Sequence, residues 1–188
     1  DQAWVLSRMR VEIDALPKWR DVVTVKTWIH DLQGSRSVRA LEMYVGDKKI
    51  VGSSTYWAVF NTKLRKAEAL ALPHEHFEKY PDRHPTEQPF KKVNLQRDAI
   101  LQSERTVMLS DLDIVFHANN VKYLEWCLDA IDYRPLLKGQ LQSFDMNFLR
   151  ELQLGDNVQL YTDGDAAQTY FSVNKNDSPC FALDLNWK

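Results

Sequence analysis

SDLDIVFHANNVKYLEWCLDAI (residues 110–131) sets two aspartates, a histidine and two asparagines directly ahead of a helical period. Val121, Leu124, Leu128 and Ile131 recur at three- and four-residue steps, while Lys122, Glu125 and Asp129 fall on another side. That spacing predicts an amphipathic helix over 119–131 that buries the first stripe and solvates the second. Asn119 or Asn120 suits the N-cap, because a short amide side chain accepts a bond from an otherwise orphaned first-turn amide. No capping-box partner follows. One helix of this kind needs a sheet to pack on, and the residues around it supply one.

Most of the remaining chain alternates apolar and polar residues with period two and is rich in Val, Thr, Trp, Tyr and Phe, the mark of half-buried antiparallel strands. Strands are expected near 4–13, 21–30, 35–46 and 49–61, the last two joined by a hairpin turn at Gly46-Asp47. A second set is expected near 100–109, 141–151, 157–163, 167–174 and 179–187, with Phe181, Leu183, Leu185 and Trp187 on one face. Residues 68–98 are rich in proline and charge and lack a sustained period. The reading is α+β in three parts: a first unit at 1–70, a connector at 71–98 and a second unit at 99–188. MRVEIDALPKWRDVVTV (9–25) echoes MNFLRELQLGDNVQL (146–160), each a strand, a turn, then Asp-x-Val entering the next strand, which suggests a duplicated unit. On that reading the first copy lacks its opening strand and helix, and residues are missing before Asp1.

Composition narrows the function classes. With 24 Lys+Arg against 26 Asp+Glu there is no cationic excess to hold a nucleic acid. Cys127 and Cys180 form no CxxC or Cys/His ligand pattern, which reads as free thiols and a cytoplasmic setting. No apolar run reaches the roughly 20 residues of a membrane helix, so membrane insertion is not expected.

Read from the residues alone, His117 is either a polar loop residue or an acid–base group. If 113–117 is extended, Asp113, Val115 and His117 point the same way, next to the free amides of a helix start. Such amides stabilise a developing oxyanion, and an acyl carbonyl placed there would meet donors and an imidazole together. Glu151 by itself reads equally well as an exposed strand-end carboxylate.

The segment resembles the D-x-D-x-N-x-H-x-N-N-x-x-Y stretch of the acyl-ACP thioesterases of bacteria and plant plastids (ACP, acyl carrier protein). WVLSRMRVEIDALPKWRDVVTVKTW (4–28) resembles their N-terminal stretch, in the right order. The resemblance implies a tandem hotdog fold, in which curved antiparallel sheets each wrap a central helix. It also implies hydrolysis of fatty acyl-ACP, in fatty acid biosynthesis, to free fatty acid without metal or organic cofactor. Carried over by position, the catalytic residues are Asp113, His117 and Glu151. Glu151 is the general base, His117 the hydrogen-bond partner of water or carbonyl, and Asp113 the orienter, while Asn119 at the helix N-terminus is on the oxyanion side. The implied partners are ACP with its phosphopantetheine thioester and the fatty acyl chain, and the implied assembly is a monomer or homodimer.

Two positions depart from the family pattern. Its asparagine between aspartate and histidine is Val115, which offers no hydrogen bond. Its cysteine after the glutamate is Leu152, so water attack is favoured over a covalent route. Alternative readings are an acyl-CoA thioesterase of the hotdog superfamily and, because of Val115, a non-catalytic acyl-binding homologue. His74, Glu75, His76, Asp82 and His84 sit in the connector without a second anchored ligand pair and read as a solvated linker. The six tryptophans read as sheet packing or acyl contacts. Lys63, Arg65, Lys66, Lys91 and Lys92 read as surface turns or a steering patch for an acidic carrier.

Overall fold

Alternating side chains become antiparallel sheet along most of the chain. The computed structural model describes residues 1–188, which divide into two units, Asp1–Lys91 and Lys92–Lys188. The boundary falls within the stretch expected to connect them.

The first unit contains β1 (Gln2–Ile13), β2 (Val23–Gln33), β3 (Arg36–Val45), β4 (Lys48–Asn61) and the two-residue β5 (Lys66–Ala67). The strand order is β2-β3-β4-β1, with β5 beside the end of β4. Val45 pairs with Lys48, so Gly46 and Asp47 form the expected two-residue hairpin loop, and Gly46 takes the positive φ of 58° that such loops favour. Residues 1–91 contain no helix. Instead, residues 83–88 lie against the sheet. Lys49 Nζ donates to Pro85 O at 3.0 Å, and the Glu12 carboxylate accepts the Glu87 and Gln88 N–H groups at 2.6 and 3.1 Å. Arg83 stands 2.7 Å from Glu42 and places its guanidinium 3.7 Å above the Trp28 ring.

This strap crosses β4 at Gly52, where an added Cβ would overlap the Pro85 carbonyl. The neighbour is backbone tied to Lys49, so it cannot swing aside. Gly52→Ala is expected to destabilise the first unit by about 1–3 kcal/mol, the usual penalty for overpacking, read as a lower urea midpoint at unchanged m.

The second unit contains β6 (Ile100–Thr106), a short 3-10 turn (Leu109–Asp111), α1 (Asn120–Leu128), α2 (Tyr133–Leu137), β7 (Leu141–Phe148), β8 (Asn157–Gly164), β9 (Gln168–Lys175) and β10 (Ser178–Trp187). Its sheet runs β7-β10-β9-β8-β6, antiparallel throughout. β6 stops three residues before the expected end because the chain turns at Leu109, and β7 stops at Phe148 rather than 151. The helix stops at Leu128 rather than Ile131, and α2, capped by Asp132, follows where no element was expected.

Pleating gives the sheet two distinct faces. One carries Phe144, Met146 and Phe148 of β7, paired across the ladder with Leu185, Leu183 and Phe181 of β10. Tyr123 of α1 meets this face, with ring centroids 5.3 Å from Phe181 and 6.0 Å from Phe148. Trp187 at the strand end donates its ring N–H to Thr169 at 3.0 Å. The other face carries Ser143, Asp145 and Asn147 with Ala182 and Asp184. Here Val93 packs on Tyr170 and Ala182, its N–H bonds Asn147 Oδ1 at 2.9 Å, and Arg97 stands 3.4 Å from Asp184. β10 is therefore covered on both sides, which explains its run of six buried residues.

The helix packs on a different face from the one expected. Tyr123, Trp126 and Cys127 are buried, whereas Val121 is 56% exposed. Positions 123, 126 and 127 are as regular a stripe as 121, 124 and 128, and two aromatic rings bury more area than branched aliphatics do.

Candidate active site

The site grows from the chain between β6 and α1. Val107 is anchored at both backbone groups: its N–H bonds Asp156 O at 2.8 Å, and its C=O accepts Gly155 N–H at 3.0 Å. Asp111 then gathers three elements. Its buried carboxylate accepts the Met108 N–H at 2.8 Å and lies 3.3 Å from Arg105 of β6 and 3.4 Å from the Trp126 ring nitrogen of α1. Its backbone carbonyl accepts the Asn119 N–H at 2.8 Å. The sequence reading gave Asp111 no role. The signal was the first aspartate of the D-x-D pattern, a residue type that is rarely buried unless paired.

The segment 113–117 is not extended, which corrects the expectation that Asp113, Val115 and His117 share a face. The chain folds back through a tight turn, with Leu112 bridged to Ala118 and the Asp113 N–H bonded to His117 O at 2.8 Å. Asp113 Oδ1 accepts the Val115 N–H at 2.9 Å and the His117 N–H at 3.2 Å. A short carboxylate that bonds its own backbone two residues on favours a turn over a strand. The turn also needs Phe116 at φ 64°, a left-handed conformation uncommon for an aromatic residue. Asp113 thus fixes the His117 backbone, and the imidazole faces a different acid.

That acid is Glu151, with Oε2 3.8 Å from His117 Nε2. It does not sit in a strand as expected. It lies three residues past β7, in a bend held where the Leu149 and Arg150 N–H groups both donate to Cys180 O, at 2.8 and 3.1 Å. The next residue, Leu152, is fully buried and accepts the Ala118 N–H at 2.8 Å, while Gln153 bridges His117. The side chains of His117 and Glu151 are about one third exposed, at 33% and 39%, so water reaches both. At 3.8 Å they are too far apart for a direct hydrogen bond, yet a single water can lie about 2.8 Å from each.

Asn119 is the N-cap. Its Oδ1 accepts the Val121 N–H at 3.0 Å, and its own N–H goes to Asp111. The Lys122 N–H is bonded to Asn119 O at 2.8 Å, and the Asn120 amide stands at the first helical position, where an N–H has no intrahelical acceptor. The Asn119 side-chain oxygen is therefore occupied as the cap of the helix start.

The turn Gln153–Asp156 supports this arrangement and carries a titration. Burial pushes the Asp156 carboxyl up, but the Lys175 ammonium at 2.6 Å and the Gln153 N–H outweigh it and hold the group below its ordinary value. A depressed folded-state pKa adds stability that is present above the unfolded value of about 4 and is lost as pH falls through the folded value. Asp156→Asn is expected to be less stable than the parent at pH 7, with the gap closing on acidification below about pH 4. Chemical denaturation across pH checks this.

Other sequence candidates fall elsewhere. Cys127 is buried in the helix face, and burial pushes its thiol up, so it is an inert core residue. Trp28 and Trp126 are core residues, while Trp19 is 92% exposed. The His74 ring bonds the Leu72 carbonyl at 2.9 Å and His84 lies 5.1 Å from His30, so the connector histidines do not converge. Lys63 pairs with Asp1 at 2.9 Å, and Arg65 and Lys66 are exposed at the β4–β5 turn.

Comparison with known proteins agrees with this frame. The acyl-ACP thioesterase N-terminal domain matches residues 1–80, and the acyl-ACP thioesterase C-terminal domain matches residues 95–181. A chloroplastic acyl-acyl carrier protein hydrolase of Cuphea viscosissima is 25% identical over 180 residues, covering 89% of this chain and 42% of that protein. A chloroplastic oleoyl-acyl carrier protein thioesterase of Coriandrum sativum is 27% identical over 184 residues, covering 88% and 49%. The chain thus spans less than half the length of these relatives. The crystal structure of an acyl-ACP thioesterase from Bacteroides thetaiotaomicron superposes with a TM-score of 0.88 at 24% identity, over 100% of this chain and 77% of that one. The 12:0-ACP thioesterase of Umbellularia californica gives 0.80 at 20% identity, over 100% and 76%. At these identities the structural likeness establishes the fold, the hotdog fold, and the two domain matches, which run in order through most of the sequence, establish kinship. The chain belongs to the acyl-ACP thioesterase family.

Proposed function

We propose that this protein hydrolyses the thioester of a fatty acyl group carried on acyl carrier protein. The observation that carries the reading is the 3.8 Å approach of His117 Nε2 to Glu151 Oε2, both open to water, beside the N-terminus of α1. Glu151 takes a proton from a water that His117 helps to hold, and the resulting hydroxide attacks the thioester carbonyl. The oxygen of the tetrahedral intermediate gains charge against the Asn120 amide and the helix dipole. Collapse breaks the C–S bond, and the proton on Glu151 passes to the departing phosphopantetheine thiolate. The products are a fatty acid and the free carrier thiol. Leu152 supplies no nucleophile, so the water route accounts for turnover without an acyl-enzyme.

The test is side-by-side kinetics on matched acyl-ACP and acyl-CoA thioesters. Faster turnover on the carrier protein supports the reading; preference for coenzyme A makes this an acyl-CoA hydrolase, and acyl binding without hydrolysis at any pH defeats both. The last outcome has its own motive in Val115, 61% exposed at the turn tip and unable to hydrogen-bond. Val115→Asn is expected to raise kcat by about tenfold, the effect of the roughly 1.4 kcal/mol that one added hydrogen bond contributes, with the backbone bond to Asp113 retained. A pre-steady-state assay with product quantified by mass spectrometry detects a gain of that size.

A further inference from the structure

The turn that carries His117 is a three-residue hairpin loop, 114–116. It is closed by the Asp113 N–H on His117 O at 2.8 Å and by the Phe116 N–H on Asp113 O at 3.1 Å. Loops of this length commonly place their last residue in the left-handed region, where glycine or asparagine sits with little strain. Here that residue is Phe116, at φ 64°. Packing does not offset the strain, because Phe116 is 71% exposed. An unfavourable backbone conformation kept for an exposed ring, next to a histidine of the site, points to a use other than folding.

The side chains at the tip are all apolar: Ile114 is 96% exposed and Val115 61%. The amides behind them are spent. The Val115 and His117 N–H groups go to Asp113 Oδ1, and the Phe116 N–H goes to Asp113 O. On the facing backbone, Leu154, which follows the Gln153 bridged to His117, is 58% exposed. Apolar surface whose amide donors are used up matches a run of methylenes. The pantetheine arm fits it poorly, because its amide groups would leave water without gaining partners. We infer that Phe116 is a specificity-determining residue: its ring, with Ile114 beside it, covers the methylenes nearest the carbonyl of the fatty acyl chain. The inference rests on the thioester-hydrolysis reading above for the placement of that carbonyl at His117 and Glu151.

Phe116→Asn removes the ring and installs a residue that tolerates the left-handed region. Its urea midpoint is expected to match or exceed the parent's. On an acyl-ACP thioester, KM is expected to rise about tenfold with kcat within twofold, because the contact is made equally before and in the transition state. A factor of ten corresponds to about half the transfer energy of a fully buried phenylalanine. Phe116→Leu keeps hydrocarbon at the tip and is expected to hold KM within about threefold of the parent. Binding separates the parts of the substrate without turnover. Calorimetric titration of Phe116→Asn with saturated fatty acids from octanoate to stearate is expected to show the same tenfold loss. Titration with carrier protein that bears the pantetheine arm and no acyl chain is expected to show no change. A midpoint well below the parent's would mean that the ring serves folding, and a loss in kcat alone would mean that it serves the chemistry; either overturns the inference. Unchanged fatty-acid binding, a loss confined to the unacylated carrier, or a parent that binds no fatty acid overturns it too. If the parent hydrolyses no thioester but Phe116→Asn loses fatty-acid affinity, the hydrolytic reading fails and the acyl contact stands.

Discussion

Glu151→Gln is expected to lower kcat on an acyl thioester by about 10²- to 10⁴-fold, the usual worth of a positioned general base. The substitution keeps shape and size and removes only the ability to accept a proton from water. Because the side chain is 39% exposed and the bend is held through backbone bonds to Cys180 and Ala118, the variant should fold and melt like the parent. His117→Ala is expected to cost a comparable factor, since the imidazole and the carboxylate reach for one water. The double variant then loses little beyond the worse single one, because groups that act as a unit are strongly non-additive. Steady-state kinetics for the four proteins, with circular dichroism as the folding check, supply the cycle. Fully multiplicative losses would mean that the two side chains serve separate steps, and parental rates in both single variants would remove them from the chemistry.

Part of this site is legible in the sequence and part is not. Period-two alternation predicts strands because the pleat requires it, and each expected strand has an observed counterpart. The cap at Asn119 was also readable, because a helix start needs an acceptor for its amides. The shape of 113–117 was not. Extended geometry was the reading for D-I-V-F-H, and what overrides it is the Asp113 carboxylate bonding its own loop, together with a left-handed Phe116 that no propensity favours. Glu151 was identified as an acid by resemblance, but its place beyond β7 depends on the two amides that converge on Cys180 O, a contact between residues thirty positions apart. The buried helix face is ambiguous in the sequence for a simpler reason. Two apolar stripes of equal period compete on α1, and only the sheet opposite, with Phe148 and Phe181, decides in favour of the rings.

That decision can be tested through stability. Phe181 is fully buried, with ring centroids 5.3 Å from Tyr123 and 5.1 Å from Phe148, and it sits on β10, the strand that is covered on both sheet faces. Phe181→Ala is expected to destabilise the second unit by about 3–5 kcal/mol, the sum of lost transfer energy and an unfilled cavity. For a unit of this size, with an m-value of about 1–3 kcal/mol per molar urea, the midpoint should drop by at least about 1 M. The helix can relax only partly into the space, because Trp126 is tied to Asp111 and Tyr123 also packs on Phe148, so the loss should lie toward the upper end of the range. Trp19→Ala removes a larger side chain that is 92% exposed and is expected to change stability by no more than about 0.5 kcal/mol. A midpoint for Phe181→Ala close to that of the parent would show that the stripe through Tyr123 and Trp126 is not what joins α1 to its sheet.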